Sequence, residues 1–134
     1  MAKVYGEAQR RIRICVDACD QGVISGRYVP PGQTESRPFH SLVQLIVETE
    51  RCLDEANFPQ SYTAKRTFSP LPEFQVSGTG PGGSGQLATF DIRLLFRQHA
   101  SWQGTVSWVE GHSEESFRSV LELILLLDSA LSGP

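Results

Sequence analysis

Arginine side chains recur on one side of two segments that have the pattern of β-strands. Arg11 and Arg13 alternate with isoleucines, and Arg93 and Arg97 belong to a second alternating run whose apolar side ends at Phe96. A period of two is typical of a strand with one buried face, so we expect the arginines on the opposite, exposed face. Guanidinium groups and planar rings on a sheet suit single-stranded nucleic acid, whose phosphates attract cations and whose bases stack. The predicted nucleic-acid-binding residues are Arg11, Arg13, Arg93, Arg97, Gln103 and Thr105.

A solvated sheet face explains the same pattern without any ligand. Exposed strands ordinarily carry charged side chains, and the arginines would then pair across strands with Asp17 or Asp91. The net charge of -3 also argues against a polyanionic partner. The acidic residues gather in the two predicted helices, however, so we expect the charge of the sheet face to differ from that of the whole chain.

The sequence carries no motif that predicts catalysis, a cofactor or a metal. Cys15, Cys19 and Cys52 lack the spacing of a zinc or redox site, and no two histidines have the i, i+4 spacing of a helical metal site. A nucleophile motif of the form G-x-S-x-G is absent as well. We therefore expect no metal and no cofactor, and a binding module rather than an enzyme.

A glycine-rich segment at 77–86 contains Gly78, Gly80 and Gly83, which fit the dinucleotide fingerprint G-x-G-x-x-G. That fingerprint requires a strand before it and a helix after it. Here a strand follows instead, so the composition predicts an exposed loop.

Two segments of the chain are similar at an offset of 78 residues. FHSLVQLI at 39–46 aligns with FRSVLELI at 117–124, and the same ungapped offset places Gly26 on Gly104. Repetition of this kind is typical of a structural unit that occurs twice.

Each copy is interpreted as two strands followed by a helix, with a first repeat at about 11–56 and a second at about 89–132. We expect a single α+β domain over 1–134, built as an internally duplicated ββα unit. Its antiparallel sheet is expected to have both helices packed on one face.

Serines mark the predicted helix starts. Ser36 is the expected N-cap of helix 1, with Pro38 in the first turn, and Ser113 is the expected N-cap of helix 2. Between the copies, alternation predicts a further strand at 61–68 and a short one at 74–76.

The second predicted helix is apolar around most of its circumference. Leu125 and Leu126 add to an apolar face that already includes Leu121. Such a helix is buried on more than one side, either at the centre of the fold or against a second subunit. The alternative function is therefore a homodimer or other homo-oligomeric interaction scaffold, associating through Leu121, Leu125 and Leu126.

The chain is expected to be soluble and cytoplasmic, with no membrane partner. The first residues lack the apolar core of a secretory signal peptide, and the apolar run at 120–127 is too short to span a bilayer. An odd number of cysteines favours reduced thiols and hence a reducing compartment.

The segment LFRQHASWQGTV at 95–106, followed by SFRSVLELI at 116–124, resembles a family of small bacterial proteins with no assigned function. The resemblance covers most of the chain and implies neither an activity nor a site. In outline, a doubled sheet-and-helix unit is also similar to the PUR-repeat and Whirly classes of single-strand nucleic-acid binders. That similarity implies a basic sheet face and assembly through helices.

Overall fold

The computed structural model describes residues 7–61, 66–68, 80–81 and 83–132. Its elements, in chain order, are a 3-10 helix Glu7–Arg10, β1 Arg11–Asp20, β2 Val23–Val29, β3 Glu35–Phe39, α1 Leu42–Ala56, β4 Gly80–Pro81, β5 Ala88–Phe96, β6 Gln103–Trp108, β7 Ser113–Phe117 and α2 Val120–Leu131. The described strands form one sheet in the order β4-β3-β2-β1-β5-β6-β7, and neighbouring strands are antiparallel. The predicted α+β class with an antiparallel sheet is confirmed.

Six of the seven described strands form two three-stranded meanders joined along their first strands, and β4 adds to the edge at β3. β1–β3 form one meander and β5–β7 the other, with β1 paired to β5 at the centre. Arg13 lies opposite Asp91, 78 residues away along the chain. On either side of this pair, Ile12 faces Ile92 and Ile14 faces Phe90. The pairing of β1 with β5 is therefore symmetric about Arg13 and Asp91. The residues 78 positions after Ile12 and Ile14 are Phe90 and Ile92, and each pairs with the other isoleucine.

The hydrophobic core lies on one face of the sheet, called the inner face below. Ile12 and Ile92 are 1% and 2% exposed there. Leu45 of α1 and Leu123 of α2 belong to the same buried cluster, so both helices cover this face as expected. The opposite face, called the outer face below, carries the alternate residues of the strands, among them Arg13.

Each half contains a third strand that the sequence interpretation assigned to the helix. Ser36 is buried within β3 and Ser113 opens β7, so the predictions that these serines are N-caps were wrong. Phe39, at the end of β3, is buried and pairs with Gly26 of β2. A helix begun at Ser36 would take this ring off the sheet. Each half therefore has the element order βββα rather than the predicted ββα.

Both helices begin one strand later, at serines related by the same offset. The hydroxyl oxygen of Ser41 accepts the amide N–H of Gln44, and that of Ser119 accepts the amide N–H of Glu122. In return, the Gln44 and Glu122 side chains accept the amide of the residue before each serine. These bonds differ from a capping box only in that the return bond comes from the residue before the N-cap, and they mark each helix start. Within the described residues, neither helix is long and apolar enough to cross a membrane.

The segment between the two copies bears on three further predictions. Ser61 makes an isolated bridge with Arg97, and 66–68 are not in a strand, whereas 62–65 and 74–76 lie outside the described residues. Of the predicted loop at 77–86, the pair at 80–81 forms β4 against β3, and 83–86 has neither helix nor strand. Residues 77–79 and 82 lie outside the described ranges.

A β-bulge occurs at matched positions of the two halves. The pairing of β1 with β2 shifts register after Val16, and that of β5 with β6 shifts after Leu94, its counterpart 78 residues on. Opposite the bulges, a Cβ on Gly26 or Gly104 would overlap a backbone carbonyl oxygen of the neighbouring strand. Glycine permits this close approach of two backbones. Duplication as the origin of these matches stays a prediction.

Candidate nucleic-acid interface on the outer face

Two arginines lie directly opposite each other at the centre of the outer face. Arg11 of β1 pairs with Arg93 of β5, and Arg93 in turn pairs with Thr105 of β6. Both arginines are exposed and Thr105 is partly exposed. Side chains at directly opposed positions have Cβ atoms about 5 Å apart, so the two guanidinium groups can reach one small anion. We call Arg11, Arg93 and Thr105 the arginine row.

The neighbouring row is neutralised by an ion pair. Arg13 donates from Nε and Nη2 to the two carboxylate oxygens of Asp91, at 2.8 Å each. The hydrogen bond from Asp91 raises the pKa of Arg13. A bidentate pair of this kind fixes the guanidinium in one orientation. The structure therefore places Arg13 on the outer face as predicted, but with its charge balanced by Asp91.

A groove of about 710 Å³ runs along this part of the outer face. Arg11, Arg93 and Thr105 line it together with Ser107 and Glu114. Its lining thus combines cationic groups, hydroxyl groups and an acidic group. Such a groove favours a ligand that offers an anionic group to the arginine row and neutral groups to β7.

Arg97 does not belong to this face, and its prediction as a nucleic-acid-binding residue was wrong. Its side chain is 1% exposed and lies against α1, where Nη1 donates to Glu50 at 2.9 Å and to Asp54 at 2.7 Å. Its Nε also donates to the carbonyl of Pro59. The bulge after Leu94 explains the change of face, because one extra residue reverses the alternation that follows it.

Gln103 is held within the turn between β5 and β6. Its carboxamide nitrogen donates to the carbonyl of Gln98 at 2.9 Å, and its oxygen accepts the amide of Gln98 at 2.8 Å. The same nitrogen lies 3.3 Å from the carbonyl of Arg118. The side chain therefore stabilises the turn beside the groove, and of the predicted site residues only Arg11, Arg13, Arg93 and Thr105 come together.

The same bulge brings an aromatic ring to the outer face. Phe96 pairs with Gln103, two residues before Thr105, and is 55% exposed. The alternation of the sequence had placed this ring on the apolar side of the strand. The available signal was Gly104, whose matched glycine in the first half also faces a bulge. Phe96 adds a stacking surface one row beyond Arg93.

The chain's own segment at 83–87 crosses the other end of the outer face. Arg27 forms an ion pair with Asp17 at 3.0 Å, and its Nη2 donates to the carbonyl of Ser84 at 2.8 Å. The hydrogen bond from Arg27 lowers the pKa of Asp17. The carbonyl of Gly83 accepts from Cys15 Sγ at 3.3 Å, and burial raises the pKa of this thiol. Within the described residues, the part of the face left open is therefore the end that carries the arginine row.

The predicted oligomer residues divide between the surface and the core. Leu121 and Leu125 of α2 are 64% and 58% exposed. Leu126 instead packs against the buried cluster and, with Val106 and Trp108, lines a cleft of about 260 Å³ beneath the helix. Leu126 is thus partly buried, unlike Leu121 and Leu125, and its part in an interface stays a prediction.

Among the described residues, no cluster of three or more His, Cys, Asp or Glu could hold a metal ion. No protein-family model, curated protein or solved structure matches this chain. The resemblances stated above accordingly remain expectations.

Proposed function

We propose that the open end of the outer face binds single-stranded nucleic acid. The observation that carries the proposal is the direct opposition of Arg11 and Arg93 across β1 and β5 in an open groove. A phosphate above the two side chains would accept a charge-assisted hydrogen bond from each guanidinium group.

Phe96 supports a single-stranded rather than a double-stranded ligand. Bases of a single strand can leave the stack and lie on an exposed aromatic ring, at about 1–3 kcal/mol per base. Phe96 lies on the same face as Arg93 and is 55% exposed. A duplex would need a wider basic surface, whereas this groove is bordered by Asp91 and Glu114. The proposed ligand is a short unpaired stretch that places one or two phosphates over the arginine row.

A fluorescence anisotropy titration with a labelled single-stranded oligothymidylate tests the proposal. With two phosphate contacts, the slope of log binding constant against log salt is expected to be about -1.4. The double variant Arg11→Ala/Arg93→Ala should lose at least about tenfold in affinity, and Phe96→Ala at least about fivefold. Arg51→Ala is the control for loss of positive charge elsewhere, because it removes one arginine from α1 on the other side of the sheet, and it is compared with Arg11→Ala and Arg93→Ala taken singly.

The comparison between variants decides the outcome. Affinity unchanged in Arg11→Ala/Arg93→Ala, or lost equally in Arg51→Ala, would show that the arginine row is not the site. Absence of any binding at low salt would reject the function.

Self-association through α2 is the second candidate function. The observation that favours it is the exposure of Leu121 and Leu125 on successive turns of one helix. Exposed leucines that form a contiguous patch are typical of protein interaction sites. The partner in this candidate is a second copy of the chain.

The proposal also places the protein in the cytoplasm. Cys15, Cys19 and Cys52 are free thiols. Free cysteines persist in compartments that are kept reducing.

A further inference from the structure

The solvent-facing side of α2 carries an ordered stripe of four exposed side chains. Leu121 and Leu125 form its centre, Arg118 lies at the N-terminal end and Asp128 at the C-terminal end. Arg118 precedes the N-cap, and its side chain is 87% exposed. Leu121, Leu125 and Asp128, spaced by four and three residues, lie on one side of α2. Arg118 precedes the helix and is held against its first turn by Glu122. We call the four residues the α2 stripe.

The α2 stripe is complementary to itself when reversed. Its positions are symmetric about residue 123, so an antiparallel copy aligned there would place Leu121 against Leu125 and Arg118 against Asp128. Apolar side chains would meet in the centre and opposite charges at both ends. An isologous two-fold interface requires this kind of self-matching pattern.

Arg118 is already oriented along the helix by an interaction within the chain. Its Nη2 donates to Glu122 at 2.6 Å and its Nε donates to the same carboxylate at 3.1 Å. Guanidinium has five N–H donors, so it can donate to a second carboxylate while it keeps its hydrogen bonds to the first. The pair with Glu122 would hold the cation at the position that Asp128 of a second copy would approach.

The matched stripe on α1 lacks these properties. Its positions, 78 residues earlier, are His40, Val43, Val47 and Glu50. Val43 is 69% exposed, but Val47 is half-buried. Glu50 accepts hydrogen bonds from Arg97 and Trp102 inside its own chain. The α1 stripe therefore offers one exposed apolar side chain and commits its carboxylate elsewhere, which makes it a natural control.

We propose that two copies of this chain pair through antiparallel α2 helices, with the two-fold axis opposite residue 123. This inference rests on the second candidate function, self-association, and specifies its geometry. The helices cover the inner face, so this dimer leaves both outer faces exposed on opposite sides. A helix of 12 residues is about 18 Å long, which gives a contact below the standard size of about 800 Å² per partner. The dimer is therefore a weak one, with a dissociation constant on the order of 10–100 µM.

Sedimentation equilibrium across that concentration range, with circular dichroism to confirm folding, tests the inference. The wild-type chain should self-associate, and Leu121→Glu/Leu125→Glu should weaken the dimer at least about tenfold because buried unpaired charges oppose association. Both substitutions lie at exposed sites, so the monomer should remain folded. Val43→Glu, at the position matched to Leu121, should leave association unchanged.

Charge exchange tests the alignment itself. Asp128→Arg places two arginines opposite each other and should weaken the dimer about threefold to tenfold, whereas Arg118→Glu/Asp128→Arg should restore it. A wild-type chain that stays monomeric at 1 mM, about ten times the weakest expected dissociation constant, would reject self-association together with this geometry. A dimer that persists in Leu121→Glu/Leu125→Glu, that is lost in Val43→Glu, or that the charge exchange fails to restore, would retain self-association and reject the antiparallel α2 pairing.

Discussion

In the first half of the molecule, the Tyr28 hydroxyl donates a hydrogen bond to Glu48 inside the core, and both side chains are buried. At the matched positions of the second half, 78 residues on, the chain has Val106 and Leu126. These two apolar residues line the cleft beneath α2. The same backbone unit therefore encloses a polar pair in one half and an apolar cleft in the other.

A second difference concerns the ends of the first strands. Arg97 is buried against α1, whereas its counterpart in the first half, Cys19, is exposed. Phe96 is an exposed ring on the outer face, whereas its counterpart is Ala18. The matched bulges and glycines hold the two backbones alike, so the side chains around them are free to differ. The two halves thus have similar backbone bulges but different side chains beside them, and those side chains determine what each half presents to the core and to solvent.

The largest expected effect is at Arg97, whose buried guanidinium links the second half to α1. Arg97→Ala should destabilise the fold by about 2–4 kcal/mol, because it leaves the carbonyl of Pro59 and the largely buried carboxylate of Glu50 without their donor. Its matched partner Cys19→Ala should change stability by less than about 0.5 kcal/mol, since that side chain is exposed. Urea denaturation followed by circular dichroism measures both. If Arg97→Ala lowers the free energy of unfolding by less than about 1 kcal/mol, positions 97 and 19 do not differ in their importance for stability.

An intermediate effect is expected at the polar pair of the first half. Tyr28→Phe should cost about 1–3 kcal/mol, because the buried Glu48 carboxylate loses a hydrogen-bond donor. Adding Glu48→Leu, the residue type found at the matched position 126, should recover most of that loss, since an apolar pair leaves no polar group unsatisfied. A double-mutant cycle in urea gives the coupling energy. Additive losses would mean that the two side chains do not act as a pair.

The smallest effect concerns the helix starts. The hydrogen bond from Arg118 lowers the pKa of Glu122 to about 2, whereas the matched capping residue of α1, Gln44, does not ionise. Because the folded-state pKa is below the unfolded one, the stabilisation is present above an ordinary glutamate pKa of about 4.3 and is lost as the pH falls through about 2. Only α2 should show this acid sensitivity.

NMR titration of the Glu122 carboxyl carbon measures its midpoint. Arg118→Gln should return the midpoint towards the ordinary glutamate value, and Gln44→Glu provides the matched carboxylate at the start of α1. A wild-type midpoint near the ordinary value would contradict the assigned role of Arg118.

Much of the local structure could be predicted from the sequence. Alternation predicted the strands that carry Arg11, Arg13 and Arg93, which are β1 and β5, and the aligned segments at 39–46 and 117–124 include both helix N-caps. These features depend on neighbours along the chain. The third strands were missed because Ser36 and Ser113 are acceptable caps in isolation, and only pairing with β2 and β6 makes their segments extended.

The candidate site was predictable only where the strands alternate without interruption. Arg11, Arg13 and Arg93 precede the bulges, so simple alternation assigned them to the correct face. Arg97 and Phe96 follow a bulge, and alternation assigned each to the wrong face.

The sequence by itself determined the alternation of the two central strands up to their bulges and the offset that relates Gly26 to Gly104, because each of these is a property of residues read along the chain. Only the tertiary structure decided that Arg93 faces solvent while Arg97 is buried, and that Arg11 meets Arg93 across the central strands. Those outcomes depend on the register between strands and on an extra residue at a bulge, which are set by contacts between distant parts of the chain.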